Sequence, residues 1–182
     1  MQVLVLVLVL VVVPMLVEAW IARRHERVQL SRGGVQPEGD VYAVLQVAYP
    51  AAFLAMIVEG TLRGAPPNAV VASGLATFAL AKTLKWWAIR SLGDCWTFRV
   101  IVVPGMTPVT TGPYRWLRHP NYVAVVGELV GAALMAGALI AGPICTLGFG
   151  ALMLRRIRVE ESAFQRFATP DGGSNRTRPT SG

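Results

Sequence analysis

Four long apolar runs separated by polar stretches set the pattern of this chain. Residues 1–17 are almost purely Val and Leu with one proline, long enough to cross a hydrocarbon core of roughly 30 Å. A cleaved signal peptide is the rival, but the run lacks a basic start and exceeds the ~7 to 15 residues of a signal's apolar region, so a first span is expected. Residues 41–58 form a second run, interrupted by Pro50. Residues 69–88 form a third, ending in Lys85, Trp86 and Trp87, a basic and aromatic boundary suited to a membrane interface. Across residues 121–154 the only charge is Glu128. One straight helix of these 34 residues would measure about 51 Å, too long for one crossing. Gly137, Gly142 and Pro143 lie near the middle, where a helix most readily breaks, and predict a tight turn. The pattern therefore predicts an all-α, polytopic membrane protein with about five transmembrane helices, the last two a short helical hairpin.

Composition agrees. The 182 residues are 54% hydrophobic and 15% charged, which fits one domain, here residues 1–167, followed by a polar tail over 168–182 expected to be disordered. A net charge of +7 invites a nucleic-acid reading, but the basic residues cluster in loops between apolar runs, so no nucleic-acid partner is expected and membrane lipids are. Arg23, Arg24, Arg27 and Arg32 fall in the first loop, and Lys85, Arg90, Arg99, Arg115 and Arg118 in the third. Arg155, Arg156, Arg158, Arg166, Arg176 and Arg178 follow the last run, whereas the second loop has only Arg63 and the fourth none. The excess on one side predicts an outer N-terminus and a cytoplasmic C-terminus. Asn175 opens a glycosylation sequon that a cytoplasmic tail would make accidental. Cys95 and Cys145 lack the spacing of a disulfide framework or a metal site, and no metal is expected. The preference for Arg over Lys fits a GC-rich bacterial genome.

Chemistry concentrates at the two ends of the predicted hairpin. Folding residues 121–154 back on themselves brings Arg118, His119 and Tyr122 near Arg156, Glu160 and Glu161. Arg156 and Glu160, at i and i+4, share a face if the last helix continues past the membrane surface. Surface salt bridges beside a positive anchor are one reading. The mixture of carboxylate, guanidinium, imidazole and phenol, with Gly112 for close backbone approach, is the other, and suits a zwitterionic, nucleotide-like ligand.

With these residues in view, the chain resembles the isoprenylcysteine carboxyl methyltransferase family of small membrane enzymes that use S-adenosylmethionine. The match is strongest over residues 99–167, expected to be the cofactor half. It rests on Thr111, Gly112, Pro113 and Tyr114, then Arg118, His119, Pro120, Asn121 and Tyr122, the apolar hairpin, and Glu160 with Glu161. Residues 18–27 and 91–99 are similar to bacterial members found beside polyketide synthases. The resemblance implies that Met106, Thr107, Pro108, Val109, Tyr114, Arg118, His119, Pro120, Asn121, Tyr122, Glu160 and Glu161 surround the cofactor. It implies that Arg156 contacts the substrate, and Arg99 falls at a further cofactor-contacting position. Met106 replaces a histidine common in the family.

Glu128 lies about two turns inside the fourth span, where an ionised carboxylate costs roughly 2.5 to 3.5 kcal/mol. It either orients the substrate and accepts its proton, or is hydrogen-bonded inside the bundle. His119, held before Pro120, reads as a pocket wall rather than a general base. His25 sits in a basic run typical of a solvated surface. Lys82 and Lys85 read as snorkelling anchors, and Trp86, Trp87, Trp96 and Trp116 as an interface belt.

The function expected is O-methylation of a lipophilic small molecule or prenylated substrate, with Arg156 and Glu128 as candidate catalytic residues. A prenylcysteine carboxylate arrives already ionised for Arg156 to hold, whereas a bacterial enol such as an alkylpyrone would benefit from Glu128 as base. Two other classes remain: an NADPH-dependent membrane reductase, since residues 118–122 followed by Gly127 and Glu128 resemble a segment of the sterol reductases, and a non-enzymatic membrane scaffold.

Overall fold

The computed structural model describes residues 2–167; the predicted tail lies outside the described residues. Five helices account for most of the described chain: α1 (Gln2–Ser31), α2 (Tyr42–Arg63), α3 (Asn68–Leu92), α4 (Pro120–Ala136) and α5 (Ala141–Phe167). Short 3-10 turns occupy Gly93–Cys95 and Gly112–Arg115, and a lone antiparallel bridge joins Val35 to Val102.

The helices run further than the apolar runs. α1 continues through the basic stretch to Ser31, and α2 passes through Pro50 without a break. Among the described residues only α2 is both long and apolar enough to cross a membrane, while α4, apolar over 17 residues, is shorter. Of the five spans expected from hydropathy, one is clear by length and composition among the described residues. Lys82 and Lys85 inside α3 and the charged second half of α5 set those two helices apart from α2.

The α4–α5 turn falls within the expected stretch, at Gly137 rather than at Gly142 and Pro143. Gly137 adopts φ 67°, the left-handed conformation that closes α4, and Gly137 and Ala138 both donate to the Ala133 carbonyl. Gly142 and Pro143 belong to the first turn of α5, where a missing proline N–H costs no helical bond. A Cβ added at Gly142 would stand 2.7 Å from the Ala133 Cβ, so this glycine serves helix contact rather than reversal. Glu59 of α2 caps the new helix by accepting from the backbone N–H of Ile140 (3.0 Å) and Ala141 (2.6 Å), while pairing with Arg63 at 2.6 Å.

α3 and α4 pack most closely. A Cβ on Gly131 would lie 2.7 Å from the Phe78 backbone nitrogen, so the two backbones touch where only glycine fits. The fourth loop meets the second at one end of the bundle, with Gly137 against Pro66. At the other end the long loops gather: Val35 pairs with Val102, and Asp40 accepts from the Val100 N–H at 2.9 Å. The main apolar core lies between these ends, around Phe53, Met56, Leu129 and Met135.

Candidate functional site

At the long-loop end, the start of α4 faces the middle of α5. Tyr122 donates its hydroxyl to the Glu160 carboxylate at 2.5 Å, and Arg156 Nε donates to the Tyr122 oxygen at 3.0 Å. The expected i, i+4 face of α5 is thus real and points at the α4 N-terminus. His119 stacks parallel on Tyr122, ring centroids 5.3 Å apart, and its Nε2 lies 3.5 Å from Glu161 Oε1. Burial raises the Tyr114 phenol above its ordinary value and the nearby Glu160 carboxylate adds to the effect, so Tyr114 remains a hydroxyl donor at neutral pH.

Arg156 is only 6% exposed and its donors are largely taken. Besides Tyr122, the guanidinium donates to the Phe98 carbonyl and lies 3.4 Å from Asp40 Oδ1. Asp40 in turn accepts from the Tyr42 and Val100 N–H groups. One ion pair therefore ties the first loop, the third loop and α5 into a frame, which orients Tyr122 and Glu160.

A cavity of about 430 Å³ opens beside this frame. Tyr114, Arg118, His119, Asn121, Tyr122, Arg156 and Glu160 all line it, so most of the residues expected from sequence converge on one space. Asn121 accepts from the Trp96 indole at 3.4 Å. Others stand back from the wall. Pro120 is buried as the first residue of α4, Glu161 serves His119, and Met106, Thr107, Pro108 and Val109 occupy the third loop. Met106 touches the site indirectly, its Sδ 3.6 Å from the Sγ of Cys95, a wall residue whose thiol is pushed up by burial. Gly112 approaches a helix rather than the cavity: its Cβ would collide with the Ser91 side chain of α3.

The inner end of the cavity holds a second polar group. Lys82 and Lys85 are not anchors at a surface; both turn into the bundle. Lys85 Nζ lies 2.7 Å from Glu18 and 3.3 Å from Glu128, and Lys82 Nζ lies 2.9 Å from Glu18 and 3.1 Å from Glu128. Tyr49 donates its hydroxyl to Glu128. Glu128 is fully buried behind the wall, whereas Glu18, Tyr49 and Lys85 line it. Two acids and two bases cancel, which answers how a carboxylate is tolerated inside α4. Trp96, read from sequence as interface belt, is buried against Ala22 and Ile89 with its ring edge-on to Phe98.

Asp40, Glu18 and Tyr49 were not singled out by sequence reasoning. The signal for Glu18 was present: two lysines and two carboxylates in or beside apolar runs demand pairing. Asp40 carried none, since its role depends on contacts to residues 60 and 116 positions away.

The helices thus form an all-α bundle with carboxylate, phenol and imidazole gathered at one end of a cavity. A family model described as the isoprenylcysteine carboxyl methyltransferase (ICMT) family matches residues 74–166, and the chain belongs to that family. Uncharacterized protein YpbQ of Bacillus subtilis (strain 168) is 28% identical over 163 residues, covering 90% of this chain and 97% of that one. An uncharacterized protein of Haemophilus influenzae is 28% identical over 148 residues, covering 79% of this chain and 84% of its own. No solved structure matches.

Proposed function

We propose that the protein is a multi-pass membrane O-methyltransferase that uses S-adenosylmethionine to methylate a lipophilic acceptor, with its C-terminus and cofactor end in the cytoplasm of a bacterial inner membrane. The observation carrying this reading is a cavity whose outer end is polar, at His119, Tyr122 and Glu160, and whose interior is apolar, at Leu45, Val125 and Met153. The donor set fits the cofactor. The Glu160 side chain is 40% exposed and has one oxygen beyond its Tyr122 bond, suited to an ammonium or ribose hydroxyls. Arg118 on the rim suits a carboxylate, and the stacked His119 and Tyr122 rings suit a flat base or a sulfonium.

When bound, the cofactor supplies a methyl group on a positively charged sulfur. The protein then needs chiefly to hold the acceptor in line and exclude water. Candidate acceptors are a prenylcysteine carboxylate or a bacterial lipid-like acid or enol. The basic residues at the long-loop end, against Arg63 alone in the opposite loops, support the orientation.

The test is binding and turnover on purified protein in detergent. Binding of S-adenosylhomocysteine, with transfer of labelled methyl to a lipophilic acceptor, is expected. Binding of NADPH instead would mean a reductase, and binding of neither a scaffold.

A further inference from the structure

The outer face of α5 carries a pattern that the cavity does not use. Ile144, Leu147 and Leu154 stand 65%, 75% and 60% exposed, and with the exposed Ala151 they recur at steps of three and four residues along one stripe. Continued by the same steps, the stripe runs into Arg158 and Ser162, with Arg155 and Arg166 beside it. Its apolar part, from Ile144 to Leu154, measures about 15 Å at 1.5 Å per residue, half of a hydrocarbon core of roughly 30 Å. The arginines therefore begin where one leaflet would end.

At that level a groove of about 550 Å³ lies between α5 and the first loop. Arg155, Arg158, Ser162 and Arg166 line one wall, and residues 36–38 line the other. Both walls are held from behind. Ala163 clusters with Val100 and Val102 of the third loop, and Val102 pairs with Val35 of the first. Arg32, Arg99 and Arg156 each face a carboxylate, whereas among the described residues Arg155, Arg158 and Arg166 have no ion-pair partner. Glu38 is the one carboxylate in the groove's lining, so three positive charges stand against one negative. The segment over 168–182 supplies no counter-charge, since it sets Asp171 against Arg176 and Arg178.

We propose that this groove binds the headgroup of an anionic phospholipid of the cytoplasmic leaflet, with its phosphate on Arg155 and Arg158 and its acyl chains along Ile144, Leu147 and Leu154. The inference rests on the membrane placement proposed above and is independent of the methyl-transfer chemistry. Guanidinium forks match phosphate oxygens, and the Ser162 hydroxyl adds a neutral donor. Arg166, eight residues beyond Arg158, lies about 12 Å further from the bilayer and attracts through the field rather than by contact. Glu38 disfavours a second phosphate but accepts from headgroup hydroxyls, as phosphatidylglycerol would offer. A zwitterionic headgroup has no net charge for the arginines to hold.

The experiment titrates the full chain in non-ionic detergent with phosphatidylglycerol and with phosphatidylcholine of the same acyl chains, counting bound lipid by native mass spectrometry. Phosphatidylglycerol should bind at least about tenfold more tightly, because each arginine near the surface is worth roughly fivefold. Arg155→Gln combined with Arg158→Gln should bring the two lipids within about threefold of each other while helix content by circular dichroism stays that of the wild type. Arg90→Gln combined with Arg115→Gln removes the same charge outside the groove and should keep the preference. Glu38→Gln should tighten phosphatidylglycerol a few-fold, and excess sn-glycerol 3-phosphate, which has no chains to lay on the stripe, should not displace it. Equal binding of the two lipids, equal loss in both double variants, or displacement by sn-glycerol 3-phosphate overturns the inference, the last by making this a site for soluble phosphate. If the groove double variant does not fold, the wild-type comparison and Glu38→Gln decide. Failure of the wild type to insert into phosphatidylcholine vesicles as detergent is removed would instead sink the membrane placement itself.

Discussion

Tyr122 donates its hydroxyl to Glu160 at 2.5 Å, joining the first turn of α4 to α5 across 38 positions of sequence. The bond aims a half-exposed carboxylate at the cavity beside the stacked His119 ring. On the proposed reading Glu160 meets the cofactor directly, so Glu160→Ala should abolish S-adenosylhomocysteine binding in calorimetry with expression retained. Tyr122→Phe keeps the ring stack and loses only the bond, and should weaken binding less. Unchanged binding in Glu160→Ala would remove this residue from the site.

Asp40 and Arg156 lie 3.4 Å apart and both are largely buried. Lysine cannot reproduce a guanidinium that reaches Tyr122, Asp40 and the Phe98 carbonyl at once. Arg156→Lys should therefore lower stability by about 1.5 to 3 kcal/mol, the scale of charged hydrogen bonds. Asp40→Asn should cost less, because the amide oxygen still accepts one backbone N–H. Chemical unfolding in detergent reads both.

Glu59 caps α5 from a different helix, accepting from Ile140 and Ala141. Glu59→Ala should lower the melting temperature, and Glu59→Gln should lower it less, since its carbonyl oxygen still accepts. Equal melting of wild type and Glu59→Ala would show the cap to be dispensable.

Hydropathy made the helices and the hairpin legible, because long apolar runs have few other solutions. Folding that hairpin back on itself sets Arg118, His119 and Tyr122 opposite Arg156 and Glu160, as the structure has them. Of the three residues that local preference names for the turn, Gly137 is the left-handed one that closes α4, whereas Gly142 and Pro143 fall in the first turn of α5, where a helix start accepts proline. Lys82 and Lys85 read locally as snorkelling anchors, whereas their partners, Glu18 and Glu128, sit on two other helices. Long-range pairing of that kind leaves charge balance as its only trace in the sequence.

Gly131 sits where α3 and α4 touch, with room for no side chain before the Phe78 backbone. Gly131→Leu forces the helices apart. Overpacking of this kind costs about 1 to 3 kcal/mol, and here it also displaces Glu128, one turn earlier on α4, from the lysines of α3. Reduced stability and reduced methyl transfer together are expected; a fully stable Gly131→Leu protein would contradict the packing.

Lys85 and Glu128 form the pair best suited to a mutant cycle. Lys85→Met leaves Glu18 and Glu128 sharing Lys82 alone, and Glu128→Leu leaves two lysines facing Glu18 alone. Each single change strands a buried charge and should destabilise by about 3 to 5 kcal/mol. The double variant retains Lys82 and Glu18, 2.9 Å apart and electrically neutral, and replaces the other pair with apolar side chains of similar size. It should therefore be more stable than either single variant, with a coupling energy of roughly 0.5 to 3 kcal/mol in unfolding measurements. Additive losses would mean that Lys85 and Glu128 do not compensate each other and that the neutral network is not what keeps Glu128 in the bundle. Since Lys85 also lines the cavity, the double variant should recover stability without recovering methyl transfer. That split distinguishes a residue that serves the ligand from one that only repairs the fold.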